Sequence, residues 1–328
     1  MPKGCAGYSA PMQSDHSGVV GQLSGVAAAM GLILHVGAHR TATTSLQSFC
    51  RAQRGTLKSL GVTVWGPRQT RDGRLHDAMG GDPAAADRLA AQIRDVQTPI
   101  LLISDENMLG MPRKCLREGA LYLDAGPRLG QMVAVTGPVD AIVLQIRALD
   151  LWWASLLAYL IDRGVDVPDA ARIATLGQGD RTWRHVITDL AQACPQTAIM
   201  VTLFDDCASR PDLWLSAVTD RDVPKATSEQ RNASKDANTL RQQLLQRGGQ
   251  AGALGAQEGR YMPFDAQQSA HLREAYVDDL FWLRAGADGL ATLISGAALT
   301  RTKNTSPQTP QRRGQDNDKA ARGLAQNR

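Results

Sequence analysis

The chain predicts an α/β fold with a mostly parallel central sheet and helices on both faces. Two observations carry this. Short apolar runs recur without the polar alternation of a half-exposed strand. Helix-forming stretches separate them, as a parallel sheet requires. The 328 residues are 43% hydrophobic and 21% charged, so a sizeable core is available and wholesale disorder is excluded. Aromatics are only 5%, so that core must be mostly Ala, Leu, Val and Ile.

The elements follow in order. Residues 32–36 (LILHV) form a buried strand ending at Gly37, and 43–60 read as a helix with Leu46, Phe49 and Leu57 facing inward. Residues 62–65 form a second strand, closed by Gly66-Pro67, and 84–95 are helical. Residues 99–103 (PILLI) form a third strand. Residues 121–135 are helical in part, with Pro127 and Gly130 as faults. Residues 141–146 (AIVLQI) form a fourth strand, followed by a strong helix at 150–163. A helix at 184–194 leads into a fifth strand at 198–203 (AIMVTL). The remainder reads as helices at 235–247, 266–283 and 287–294.

Three segments organise the chain: a flexible leader at 1–30, the α/β domain at 31–298, and a disordered basic tail at 299–328. The tail holds seven basic and two acidic residues, whereas the rest of the chain is close to neutral. A generally basic body that coats nucleic acid is therefore not supported. The five cysteines (Cys5, Cys50, Cys115, Cys194 and Cys207) are scattered, with no C-x-x-C pair. That argues against a disulfide framework or a structural zinc site and points to a reducing cytoplasm. The longest apolar stretch, 140–161, is broken by Arg147 and Asp150, so no integral membrane segment is expected. Oligomeric state is not legible.

In open parallel sheets, ligands lie beyond the carboxyl ends of the strands. The first such place is the run His35-Val36-Gly37-Ala38-His39-Arg40-Thr41-Ala42-Thr43-Thr44-Ser45. It follows a strand and opens a helix. Backbone amides in such a turn converge on an anion, the helix dipole favours negative charge, Arg40 adds a cation, and the hydroxyls add donors. A nucleotide triphosphatase or kinase would carry G-x-x-x-x-G-K-[ST] here. Ala42-Thr43-Thr44 stands in that place, without the lysine. A Thr-rich helix cap with no ligand is the bland alternative.

The run resembles the phosphate loop of sulfotransferases that use 3′-phosphoadenosine 5′-phosphosulfate (PAPS), whose bacterial members often read His-x-Gly-x-His-Lys-Thr-Gly-Thr-Thr-Ser-Leu-Gln. Here Arg40 stands for the lysine and Ala42 for the glycine, and Leu46-Gln47 follow. Arginine keeps the charge but not the point-like ammonium geometry. The resemblance continues with Arg147 at the end of the fourth strand and Ser155 eight residues on, the spacing with which this family holds the cofactor's 3′-phosphate. Taken alone, Arg147 could equally pair with Asp150. Weaker fragments are Arg231-Asn232-Ala233-Ser234, Tyr261-Met262-Pro263-Phe264 and Tyr276 to Leu280, so the likeness spans roughly 31–285.

The resemblance implies a P-loop NTPase-like three-layer sandwich. It also implies PAPS as sulfuryl donor with no metal. The cofactor would be held by Gly37, Ala38, His39, Arg40, Thr41, Ala42, Thr43, Thr44, Ser45, Arg147, Ser155, Asn232 and Ser234. Arg40 would also act catalytically, on charge growing at the leaving phosphate oxygen. Ser104-Asp105-Glu106-Asn107 after the third strand is similar to a Ser-Glu-Asn found there in related enzymes, which makes Glu106 the first candidate base. His76, in Leu75-His76-Asp77, is the second on the ordinary pKa of histidine, though a lone histidine is more often structural. An acidic residue at a helix N-terminus is also explained by the dipole alone. The implied reaction is sulfuryl transfer to a hydroxyl or amine of a small-molecule or glycan acceptor. The rivals are a catalytically degenerate binding protein of the same fold and a P-loop kinase or hydrolase.

Overall fold

A computed structural model describes residues 31–71, 75–225 and 234–295. The leader, the tail and Arg231, Asn232 and Ala233 lie outside the described residues. In chain order the elements are β1 (Gly31–Gly37), α1 (Thr43–Ala52), α2 (Arg54–Ser59), β2 (Val62–Trp65), α3 (Pro67–Arg71), α4 (Leu75–Met79) and α5 (Pro83–Arg94). Next come β3 (Ile100–Ser104), a 3₁₀ turn (Glu106–Leu109), α6 (Pro112–Glu118), α7 (Ala125–Thr136), β4 (Ala141–Ile146), α8 (Leu149–Asp162), α9 (Ala170–Gly177) and α10 (Trp183–Ala193). The last are β5 (Ala198–Leu203), α11 (Phe204–Cys207), α12 (Pro211–Thr219), α13 (Ala237–Gln246), α14 (Ala266–Arg284) and β6 (Thr292–Ile294).

The six strands form one sheet in the order β2-β3-β1-β4-β5-β6, and all pairings are parallel. Every residue of β1 and β3 is buried, as expected for strands covered on both faces. Leu32, Leu34 and Val36 pack with α5, α7, α8, α10 and α14 on one side. Ile33 packs with Leu46, Phe49, Leu57, Trp214 and Leu215 from α1, α2 and α12 on the other. The predicted α/β class and its three layers are therefore present.

Several local readings need correction. The helix expected over 43–60 is broken at Gln53 (φ −97°, ψ 16°), and Gly55 lies inside the second piece, α2. The helix expected over 287–294 is instead a short 3₁₀ turn and the sixth strand, which pairs Thr292 with Met200 and Ile294 with Thr202. Pro127 does not disrupt α7. It sits in the first turn, where its missing N–H is not needed.

No described helix is long and apolar enough to cross a membrane. The strand order places the carboxyl ends of β3, β1 and β4 side by side, with β1 feeding its connection to one side and β4 lying on the other. That is the switch point where open α/β sheets bind ligands.

Candidate functional site

Three segments meet at this switch point: residues 37–45 after β1, residues 104–107 after β3, and Arg147 after β4. Gly37 makes the close approach possible. Its φ is +106°, and a Cβ there would lie 3.2 Å from both Cα and Cβ of Glu106. The loop then folds on itself. The Ala38 N–H donates to Gln145 O (3.0 Å), and the Thr41 hydroxyl to Ala38 O (2.7 Å). Arg40 and Ala42 both take the left-handed conformation, with φ 64°. Ala42 is the N-cap of α1 and makes no side-chain cap.

The position where the resemblance expects glycine is therefore one whose backbone favours glycine. Changing Ala42 to Gly should stabilise the protein by about 1 kcal/mol, since left-handed Ala carries a Cβ penalty of that order. In thermal unfolding this is a rise of about 2–4 °C. An unchanged or lower melting temperature would contradict the strained-Ala reading.

The cationic group lies on the β4 side of the loop. Arg40 donates through Nε to Ser155 Oγ (3.0 Å) and through Nη2 to Ser234 Oγ (3.2 Å), and the two serine hydroxyls are 2.7 Å apart. Arg147 donates from Nη1 to Arg40 O (3.2 Å), and its guanidinium lies 4.3 Å from the Phe204 ring centroid. Its Nε is buried and has no hydrogen-bond partner among the described residues, and the residue is only 7% exposed. Burial lowers the Arg147 pKa to about 10, and the neighbouring cations Arg260 and Arg40 add to the shift. Burial likewise lowers that of Arg40. Asp150 does not neutralise Arg147; it bonds Arg273 on α14 (2.7 Å). Two arginines and two serines thus share one small volume, in which an anion would be stabilised.

On the β3 side, Asp105 binds Arg71 (2.7 Å) and the Thr70 hydroxyl (2.5 Å). Burial pushes its carboxyl up, but these bonds outweigh burial and hold it below the usual carboxylate range. Glu106 accepts from Gln47 Nε2 (3.0 Å) and pairs with Arg71 (3.2 Å). His39 is buried, and burial lowers its pKa. Its Nδ1 is 2.9 Å from Tyr122 Oη, which also accepts the His39 N–H (2.9 Å). Asn107, oriented so that its amide donates to His39 Nε2 (3.0 Å), accepts from Arg71 Nη2 (2.9 Å).

Of the residues singled out from sequence, Gly37 to Ser45, Glu106, Arg147, Ser155 and Ser234 converge. The Arg40 side chain points at the pair assigned to the 3′-phosphate, so it joins Arg147 and Ser155 rather than standing apart at the reacting end. The His39 amide is spent on Tyr122 and the Ala38 amide on Gln145, so neither supplies an anion donor. His76 lies exposed on α4, and no described contact links it to Glu106 or the loop. Asn232 lies outside the described residues.

Sequence reasoning assigned no site role to Arg71, Tyr122, Trp183 and Phe204, which lie outside the local motifs, nor to Trp152, which lies between Arg147 and Ser155. Gln47 was visible only as the last letter of the loop run. Beside the left-handed turn lies a small cavity with room for about one water, lined by Ala42, Leu46, Gln145, Cys207, Pro211 and Trp214. Comparison with protein-family models, with curated proteins and with solved structures returned no match.

Proposed function

We propose that the chain is a PAPS-dependent sulfotransferase acting on a hydroxyl or amine of a small-molecule or glycan acceptor. One observation carries the reading. The buried Arg147, with an unpartnered Nε, sits in a hydrogen-bonded group with Arg40, Ser155 and Ser234, directly beside the uncapped N-terminus of α1. A nucleotide with two separate anionic groups suits such a pair of neighbouring anion sites better than a single phosphate does.

In the proposed reaction the acceptor oxygen or nitrogen attacks sulfur, the bond from sulfur to the 5′-phosphate oxygen breaks, and adenosine 3′,5′-bisphosphate leaves. The acceptor's proton passes to a base. Glu106 is the candidate, held by Gln47 and Arg71, since His76 lies exposed on α4 away from the loop. Catalysis of this loose, in-line type rests on alignment and on stabilising the leaving group's charge, for which the first turn of α1 is the nearest source.

The test is incubation with sulfur-labelled PAPS and a panel of hydroxyl- and amine-bearing acceptors, with product release followed in parallel. Acceptor-dependent formation of adenosine 3′,5′-bisphosphate supports the reading. Magnesium-dependent turnover of ATP with none of PAPS would overturn it in favour of a kinase or hydrolase. Tight binding of the bisphosphate with no transfer to any acceptor would favour a binding protein of the same fold.

A further inference from the structure

We infer that Trp152 and Trp183 are positioning residues that hold the loop after β1 and the Arg147 guanidinium in a single fixed arrangement. The inference rests on the anion-site reading above, but on observations of its own. The Trp152 indole N–H donates to His39 O (2.8 Å), and that of Trp183 donates to Arg147 O (2.7 Å). Both side chains are fully buried, and their rings meet edge to face, with centroids 5.6 Å apart at 84°. Arg40, which follows His39, accepts Arg147 Nη1 on its carbonyl. The contacts therefore close a ring: Trp152 to His39, along the chain to Arg40, to Arg147, to Trp183, and back to Trp152.

The geometry matters because a trans peptide points its carbonyl and the following N–H in opposite directions. Tying His39 O to Trp152 fixes the peptide plane from which Arg40 departs in its left-handed conformation. Tying Arg147 O to Trp183 fixes the strand end from which the guanidinium projects. Tyr122 braces the same ring. Its ring centroid is 5.7 Å from that of Trp152 and 6.4 Å from that of Trp183, and its hydroxyl takes the His39 N–H.

A buried indole N–H needs some acceptor whatever its role, and that alone predicts only a loss of stability when it is removed. Trp282 provides the comparison. Its N–H is spent on Asp288 Oδ2 (2.7 Å), in the segment leading to β6, and touches neither site segment.

The experiment compares Trp152→Phe, Trp183→Phe, the double variant and Trp282→Phe, each keeping an aromatic ring and losing one N–H. Three quantities are read: melting temperature, affinity for adenosine 3′,5′-bisphosphate and for inorganic sulfate by calorimetry, and amide hydrogen exchange in the peptide spanning 37–46. All three single variants should lose similar thermal stability. Trp152→Phe and Trp183→Phe should each weaken anion binding by about tenfold, the worth of one hydrogen bond that preorganises a charged site. The double variant should lose well under a hundredfold, because both act through one ring. Trp282→Phe should leave affinity unchanged.

Trp183→Phe should also speed exchange in 37–46, although Trp183 makes no hydrogen bond to that segment. Unchanged affinity and unchanged exchange in both variants would overturn the inference while leaving the proposed function intact. If the intact protein binds neither anion, the proposed function fails and the exchange result alone decides: faster exchange in Trp183→Phe supports the ring, and unaltered exchange overturns it. Should Trp152→Phe fail to fold, Tyr122→Phe, which releases the His39 N–H from the same cluster, takes its place.

Discussion

Replacing Arg147 with methionine is expected to weaken binding of adenosine 3′,5′-bisphosphate by about 10- to 100-fold without lowering the melting temperature of the unliganded protein. The two effects share a cause. The Arg147 guanidinium is buried with an unpartnered Nε and two further arginines near it, so in the free protein its charge is a cost. Methionine keeps an apolar stem and a sulfur against Phe204 and removes that cost, which offsets the bond lost to Arg40 O. An anion in the site turns the same charge into one or two charge-assisted hydrogen bonds, each worth about 1.5–3 kcal/mol. A fall of several degrees with affinity unchanged would identify Arg147 as a structural cation.

The pH dependence has a definite sign. The Arg147 pKa in the folded state, about 10, lies below its ordinary value, so in the window above pH 10 the folded protein loses the proton first. Anion affinity should therefore fall as pH rises through about 10 in the intact protein. The methionine variant should not show that fall. In the same window the contribution of Arg147 to folding becomes less unfavourable, so loss of affinity is not a sign of unfolding through this group.

The second large effect is at Gly37. Substitution by alanine places a Cβ 3.2 Å from the main chain of Glu106, and at φ +106° the new side chain is strained as well. The expected loss is about 2–4 kcal/mol, or roughly 5–10 °C in thermal unfolding. Because the clash is with a backbone atom, it cannot be relieved by turning a side chain. Either β1 or the 3₁₀ turn after β3 must shift, which separates the loop and Gln47 from Glu106. Calorimetric unfolding checks this, and a change under 1 kcal/mol would mean that the contact at Gly37 is looser than described.

The sheet was legible in the sequence because β1, β3, β4 and β5 are short, mostly apolar runs, with β1 and β3 buried throughout, a pattern local to each strand. β6 was not, because Thr292, Leu293 and Ile294 form a strand only through their pairing with β5. The short helices α3, α6 and α12 all open on proline, at 67, 112 and 211. Proline favours the first helical position as readily as it ends a strand, so a local reading cannot separate the two.

The site divides along the same line. Gly37 to Ser45 is one contiguous loop, and Arg147 to Ser155 one strand end and helix, so both could be matched to the family pattern they resemble. The direction of the Arg40 side chain could not, since it depends on Ser155, 115 residues away, and Ser234, 194 residues away. Nor could the partnership of Asp150 with Arg273 rather than Arg147, since α14 approaches only in the folded chain. His39 illustrates the third case. A loop histidine next to a cation reads as a ligand contact. It is instead occupied on its main-chain N–H, its main-chain carbonyl and both ring nitrogens, by Tyr122, Trp152 and Asn107.

The central claim is that this protein grips a nucleotide by its 3′-phosphate as well as its 5′-phosphate. The direct measurement is a pair of calorimetric titrations of the intact chain, one with adenosine 3′,5′-bisphosphate and one with adenosine 5′-monophosphate. The account expects the bisphosphate to bind at least about tenfold more tightly, one charge-assisted contact's worth, with that advantage lost in Arg147→Met. Equal affinity for the two nucleotides, or no binding of either, would contradict it.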